Sequence, residues 1–423
     1  MQVYKFGGAS ISGAAAIKNM CSIVKSYNGG KLLIVISAMG DITNKLVSLS
    51  EAYLRGSESC HQLLDEIKAY HFNVLRELFE APGHPVFNDV ANAFVEIEWI
   101  LEEEASDDPD YIYDQIVSIG EIVSTKIVAA YLNYVGCKAT WVDARSYIKT
   151  DNTYKEANVD WEKTTLEIQK TLPKILEDQL VITQGFIGSS SENFSTTLGR
   201  EGSDYSAAIF ASCLNATALT IWKDVSGVYN ADPKWFKETE RIPMLSYHDA
   251  IELTYYGATV IHPKTLKPLQ NRNIPLYVRS FIRPDEPGTD ITALPTPSPV
   301  PSFIFKVNQV LISIFPKDLS FIIEENLSDI FRVFHSNRVK VNTMQNSAIS
   351  FSVSVDYDEN KTRALLDELS KSYRVKYNTD LELVTIRYYN QETIDRVTVG
   401  KDILLEVKSR HTCQMVMKNK QFE

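Results

Sequence analysis

The chain has 423 residues, 44% of them hydrophobic, which is enough for two or three domains and a sizeable core. A formal net charge of −11 argues against nonspecific nucleic-acid binding, so an anionic substrate needs a local basic site. Five cysteines without metal-ligand spacing, no secretory signal, and apolar runs as short as Leu32-Leu33-Ile34-Val35-Ile36 point to a soluble cytoplasmic protein without a membrane span.

The first expected strand, residues 3–6, carries Lys5 and stops at Gly7-Gly8, with small and polar residues after it. Glycines let a backbone approach a ligand closely, amides in such a turn attract anions, and the lysine adds a mobile charge. The combination suits a phosphate, although a plain strand-ending turn has the same look. It is not a Walker loop, because no Gly-Lys-Ser/Thr follows, and Gly7, Gly8 and Gly13 miss the dinucleotide spacing.

A second strand, 32–37, leads into SAMGDITN, which offers the hydroxyls of Ser37 and Thr43 and equally reads as a helix N-cap. Residues 57–110 read as helices covering the sheet. Their His61, His71 and His84 lack partners at metal spacing and are expected at the surface. In SIGEIVS, Glu121 follows a glycine and is expected in the first turn of an apolar helix, where an acid suits the helix dipole or an ammonium group. Further strands are expected at 139–143, 180–184, 218–223 and 275–279. Alternating with helices, they form an α/β layer with a largely parallel sheet, whose ligands sit beyond the strands' carboxyl ends.

In TTLGREGSDYSAAIFA, Gly199 and Gly202 bracket Arg200, and Ser203 and Asp204 start a helix. This is an anion cradle or, again, a cap. Arg200 suits a carboxylate through two parallel hydrogen bonds, and Asp204 can orient a lysine. WKDVSGVYNADPK then suits a loop around a flat ring and its ribose, and ELTYYGATVIHPKT punctuates a helix near the same sheet end. The chemistry these stretches share is phosphoryl transfer to a small anionic acceptor.

PDEPGTDITALPTPSPVPS reads as a linker. Beyond it come VLISIFP (strand), LSDIFRVFHSNR (helix), AISFSVSVD (strand, with Ile349, Phe351, Val353 and Val355 on one face), NKTRALLDELSKSY (helix), and the strands RVKYN and LELVTIRYY. The expected order is βαββαβ. The roughly forty residues left are too few for a complete second copy.

KFGGAS, SAMGDITN, the GE of SIGEIVS, TLGREGSDYSA, KDVSGVYNADPK and YYGATVIHP occur in one order, and over nearly its whole length the chain resembles the aspartate kinases of the amino-acid kinase superfamily. The resemblance implies an α/β amino-acid kinase domain over 1–284, with an aspartate-binding lobe to about 215 and a nucleotide-binding lobe after it. A proline-rich linker over 285–302, an α+β ACT-like domain over 303–380 and a truncated second one over 381–423 complete the expected layout.

The implied reaction is ATP-dependent phosphorylation of the side-chain carboxylate of L-aspartate to 4-phospho-L-aspartate, the committed step toward lysine, threonine and methionine. Lys5 would stabilise the transferring phosphoryl group and Asp204 would hold Lys5. Ser37, Thr43, Glu121, Arg200 and Ser203 would bind aspartate. Lys5, Phe6, Gly7, Gly8, Lys223, Asp224, Tyr229, Lys234, Thr259 and Val260 would contact the nucleotide. Mg²⁺ would arrive through ATP oxygens and water. The tail would take an amino-acid effector and pair two chains as a dimer.

The sequence departs from the pattern in places. Ala9 replaces the usual threonine, Glu201 a glycine, Lys223 a threonine or serine, and Thr259 a phosphate-holding lysine, with Lys264 as a candidate substitute. Asn346-Ser347-Ala348 lacks the acid of effector-binding runs. Two alternatives stay open: a kinase of the same fold acting on another acidic amino acid, and an amino-acid sensor that has lost turnover.

Overall fold

The computed structural model describes residues 1–81, 83–103, 108–232, 235–236, 238–258, 261–296, 299–318 and 320–419. The chain divides into two compact units. The first is Met1–Val228 with Pro243–Ile251 and Val260–Thr296; the second is Tyr229–Ile242 with Glu252–Thr259 and Pro297–Glu423.

The first unit is built on β1 (Gln2–Phe6), β2 (Leu32–Ile36), β3 (Ala139–Trp141), β4 (Leu180–Gln184), the hairpin β5 (Ile187–Ser189) and β6 (Ser195–Thr197), β7 (Ala218–Lys223), β8 (Met244–Ser246), β9 (Leu276–Ser280) and β10 (Thr289–Thr292). The main sheet runs β3-β4-β2-β1-β7-β9-β10-β8, parallel except where β10 opposes β9. β1 is central, with Lys5 level with Val35 on one side and Ile221 on the other. The polar or glycine ends of β1, β2, β4 and β7 therefore line up along one edge, where parallel sheets hold their ligands.

β10 corrects the expected linker. The run Thr289–Thr292 alternates buried and half-buried residues and completes the sheet, although prolines surround it in sequence. Proline blocks a strand only where its missing N–H is needed, so flanking prolines leave a four-residue strand intact.

Around the sheet lie α1 (Ala14–Ser26), α2 (Ile42–Leu54), α3 (Cys60–Leu78), α4 (Val86–Glu102), α5 (Pro109–Tyr134), α6 (Trp161–Ile175), α7 (Gly202–Cys213), α8 (Tyr247–Tyr256) and α9 (Pro263–Arg272). α3 and α4 supply the expected cover, and His61 lies exposed on α3. His71 was expected at the surface and is instead fully buried. It falls on the apolar stripe of Leu64, Ile67, Val74 and Leu78. Its Nδ1 lies 2.7 Å from the Ile67 carbonyl, and burial pushes its pKa down to about 4, making it a neutral core residue.

α5 corrects a second expectation. Asp108 caps it and Pro109 takes its first turn, so Glu121 lies mid-helix and not at a start. By length and composition α5 could cross a membrane, but its apolar window is 83% buried inside the protein, as in a core helix.

The second unit carries β11 (Ser302–Pro316), α10 (Glu324–Ser336), β12 (Val341–Asn346), β13 (Phe351–Asp356), α11 (Glu359–Ser372), β14 (Tyr373–Arg387), α12 (Gln391–Thr398), β15 (Lys401–Lys408) and β16 (Thr412–Asn419). Its sheet order is β12-β13-β11-β14-β16-β15. RVKYN and LELVTIRYY, expected as separate strands, form the single strand β14, with Asp380 at positive φ within it. β11 is as long and shifts register between Lys306 and Leu311. Its second half packs Val310, Ile312 and Ile314 against Ile330, Phe334 and Leu365. Its first half pairs with residues 383–387 and packs Phe303 with Val384, Ile386, Ile394 and Met415. Ile349, expected on the buried face, precedes β13 and is half exposed.

Candidate active site

The cleft and the residues that line it lie in the first unit. β1 ends at Phe6, and after Gly7 a 3-10 turn, Gly8–Ile11, follows. Gly8 is required by close approach and not by its φ. A Cβ there would stand 2.8 Å from the Gly40 carbonyl oxygen and 2.9 Å from that of Ala38. The Gly40 N–H donates to the Gly8 carbonyl at 3.0 Å, so the loops after β1 and β2 pack backbone to backbone. This keeps bulk away from the ends of both strands.

The Lys5 side chain is almost wholly buried, and its Nζ lies 2.6 Å from Asp204 Oδ1 in the first turn of α7. Lys223, the last residue of β7, places its Nζ 3.5 Å from Asp204 Oδ2. Burial alone would raise the Asp204 pKa. The two ammonium groups outweigh it and hold the carboxylate below its ordinary range. Asp204 is thus an ionised anchor between two cations.

Beside this pair opens a cleft of about 610 Å³ lined by Gly8, Ser37, Thr43, Glu121, Arg200 and Ser203, all expected from the sequence. It is also lined by Asn44, Tyr113, Lys155, Glu156, Phe186 and Glu201, which sequence reasoning had not proposed as binding residues. α5 delivers Glu121 by pressing against α2 and the 37–40 loop. A Cβ at Gly120 would lie 2.9 Å from Leu46 Cδ1 and 3.1 Å from Ala38 Cβ, so glycine eases this close approach. Gly185 does the same where β4 ends, since a Cβ there would sit 2.6 Å from Ser203 Cβ.

The Glu121 Oε1 accepts the Ala38 N–H at 3.2 Å, while its Oε2 is buried without a hydrogen-bond partner among the described residues. Burial pushes its pKa up to about 8, against the pull of the Ala38 amide and Lys5. A carboxyl group so placed gains most from an incoming ammonium. Arg200 is exposed at the cleft rim and free to meet a carboxylate.

Two turns before Glu121, the buried Asp114 accepts hydrogen bonds from the Thr197 hydroxyl at 2.7 Å, the Thr197 N–H at 2.9 Å and the Lys155 N–H at 3.1 Å. It ties the Lys155–Glu156 wall and β6 to the helix that carries Glu121. Burial nonetheless raises its pKa to about 6. The sequence does carry a signal for this. Asp114, Ser118, Glu121 and Thr125 form a polar stripe at helical spacing in an otherwise apolar helix.

Other expected residues sit differently. The Phe6 side chain is fully buried and stacked on Trp222 at 5.9 Å, so only its backbone faces the site. Its carbonyl accepts the Ser37 N–H. Asp224 is exposed just after β7 and does not line the cleft. Tyr229 belongs to the second unit, where it bridges to Arg241. Lys234, Thr259 and Val260 lie outside the described residues. Lys264 does not line the cleft either. It borders a larger groove of about 750 Å³ along α6, α7 and α9, with Trp161 and Tyr205. That groove holds none of the strand-end residues, so size does not make it the reaction site.

The chain is similar over most of its length to known proteins. The model of the amino acid kinase family matches residues 1–280. The lysine-sensitive aspartokinase 3 of Escherichia coli is 32% identical over 411 residues, spanning 95% of this chain and 89% of that one. A chloroplastic bifunctional aspartokinase/homoserine dehydrogenase of Arabidopsis thaliana is 30% identical; it matches 69% of this chain, which spans only 32% of its length. Among solved structures, E. coli aspartokinase III in complex with aspartate and ADP superposes with a TM-score of 0.83 at 28% identity, covering 98% of this chain and 96% of that one. The same protein with lysine and aspartate gives 0.82 at 29% identity, covering 98% and 95%.

Proposed function

We propose, for a chain that belongs to the amino acid kinase family and within it to the aspartokinases, that the cleft beside Lys5 phosphorylates L-aspartate with ATP. The chain is an aspartate kinase. A side-chain carboxylate oxygen of aspartate attacks the γ-phosphorus, the bond to the β-phosphate oxygen breaks, and ADP leaves with the electron pair. The acceptor is already ionised, so no proton has to move. The need is to hold two anions in line and neutralise their charge.

The residue roles follow from that need. Lys5 meets the transferring phosphoryl oxygens, and Asp204 keeps its ammonium aimed there. Arg200 pairs with a substrate carboxylate, and Ser37, Thr43 and Ser203 add hydroxyls. Glu121 receives the substrate ammonium as a carboxylate, its own proton passing to solvent on binding, before the transfer step. Lys223 and Asp224 serve the nucleotide end. Both Asp204 oxygens already face lysines, which fits a Mg²⁺ that enters on the nucleotide's phosphate oxygens and water. When bound, it neutralises phosphate charge. The second unit takes an amino-acid effector and pairs two chains through its sheet. The single observation that carries the reading is the buried Lys5–Asp204 pair, 2.6 Å apart, at the end of the central strand and beside the cleft.

The test is acyl-phosphate formation trapped with hydroxylamine, using Mg-ATP and aspartate, glutamate or acetylglutamate in turn. Hydroxamate from aspartate alone is expected; product only from another acid would move the acceptor. Repeating the assay with lysine, threonine or methionine names the effector, and size-exclusion chromatography reads the pairing of chains.

A further inference from the structure

Lys155 stands in the cleft wall with φ 65°, in the left-handed region that glycine adopts without steric cost and other residues do not. Its backbone is pinned, since its N–H donates to the Asp114 carboxylate at 3.1 Å. Its side chain reaches toward the start of α5. The Nζ lies 4.9 Å from the centre of the Tyr113 ring and 2.5 Å from Asp110 Oδ1. Both side chains of that ion pair are about half exposed, 43% for Lys155 and 53% for Asp110. A pair in such a setting stabilises a fold little, so it does not offset the strained backbone.

The cleft supplies a reason for the lysine. Among the described residues its lining holds two cations, Lys155 and Arg200, and Glu121 offers it an unpartnered oxygen. An acidic amino acid brings one ammonium and two carboxylates. Lys5 is held by Asp204 for the phosphoryl group, so the carboxylates need other cations. Asp114, which pins Lys155, precedes Glu121 by seven residues on α5, about 10 Å along the helix. A small amino acid and an extended lysine side chain together span that distance. We infer that Lys155 is a second substrate-binding cation: it is parked on Asp110 in the empty cleft and passes to the acceptor carboxylate that Arg200 does not take. One ion pair breaks and another forms, and no proton moves. Tyr113 lines the cleft too and presents its ring to the ammonium along that path. The inference rests on the kinase reading of the same cleft.

The test measures KM and kcat for aspartate at saturating Mg-ATP, together with Tm, in the wild type and in variants of this pair. Lys155→Met should raise KM about tenfold and change kcat far less, because a contact kept through the reaction is uniform binding. Lys155→Gly relaxes the backbone, so it should raise KM as much without lowering Tm. Asp110→Asn removes the competing anion and should lower KM by about twofold to fivefold. In a Lys155→Met background the same change should have no effect on KM. A pair that only latches the cleft wall to α5 predicts that KM rises or stays put in Asp110→Asn, and that outcome overturns the inference. An unchanged KM in Lys155→Met, with the wild type turning over aspartate, overturns it and leaves the kinase reading standing. Turnover of no acid by the folded wild type overturns both.

Discussion

At the scale of single residues, the reaction rests on where two charges are buried. In the proposed role Lys5 acts mainly on charge that develops during transfer, so Lys5→Ala should lower kcat by about 10²–10³-fold and change KM for aspartate far less. Steady-state kinetics check this, and an unchanged kcat would remove the role. Glu121 makes a pH prediction. Folded, it keeps its proton to about pH 8, whereas its ordinary value is 4.5. Between those values the folded state binds more protons than the unfolded, so this group's contribution to stability falls as pH rises through that window. Glu121→Gln should flatten the decline, read as urea midpoints at pH 5 and pH 8.5, and should raise KM for aspartate. The gathering of Lys5, Arg200 and Asp204 at one end of the sheet was legible because each lies in a short contiguous stretch at a strand end or helix start. The burial of His71 and the inward-facing Phe6 side chain were not, since both depend on which face packs against a distant partner.

At the scale of elements, the proposed substrate site turns on α5. It holds Glu121 against the 37–40 loop and, through Asp114, fixes the opposite wall. Asp114→Ala strips three hydrogen bonds from buried or half-buried donors at Thr197 and Lys155. It should cost about 2–4 kcal/mol of unfolding free energy, seen as a lower denaturant midpoint. Leu or Val changes on the exposed face of α4 should not have this effect. The start of α5 was present in the sequence as Asp108-Pro109, a cap followed by a proline at the first helical position. Placing the helix start near Glu121 missed it, because the apolar residues around Glu121 run in both directions. β10 was hidden for the opposite reason: its four strand residues are outnumbered by the prolines beside them.

At the scale of the whole molecule, each of the two units has its own sheet and core. The βαββαβ order of the second was legible from its alternating and helical periods. That β11 and β14 each serve two small packed layers was not, because the register shift after Lys306 and the turn-like Thr379-Asp380 both look like chain breaks. A chain ended at residue 380 should therefore fail, although that point looks like a boundary in sequence. It strips Phe303 and Ile304 of their pairing with Ile386 and Thr385 and exposes an apolar edge. The expected outcome is loss of soluble protein, checked by fractionation and size-exclusion chromatography. The central place of β1 has a consequence in time. A ribosome makes Ile221, which pairs beside Lys5, about two hundred residues after Lys5 itself. At roughly 5–20 residues per second, that leaves the strand with an open flank for about 10–40 s. The strand proposed to carry the chemistry waits for one of its two partners, and during that interval a nascent-chain chaperone has a specific edge to cover.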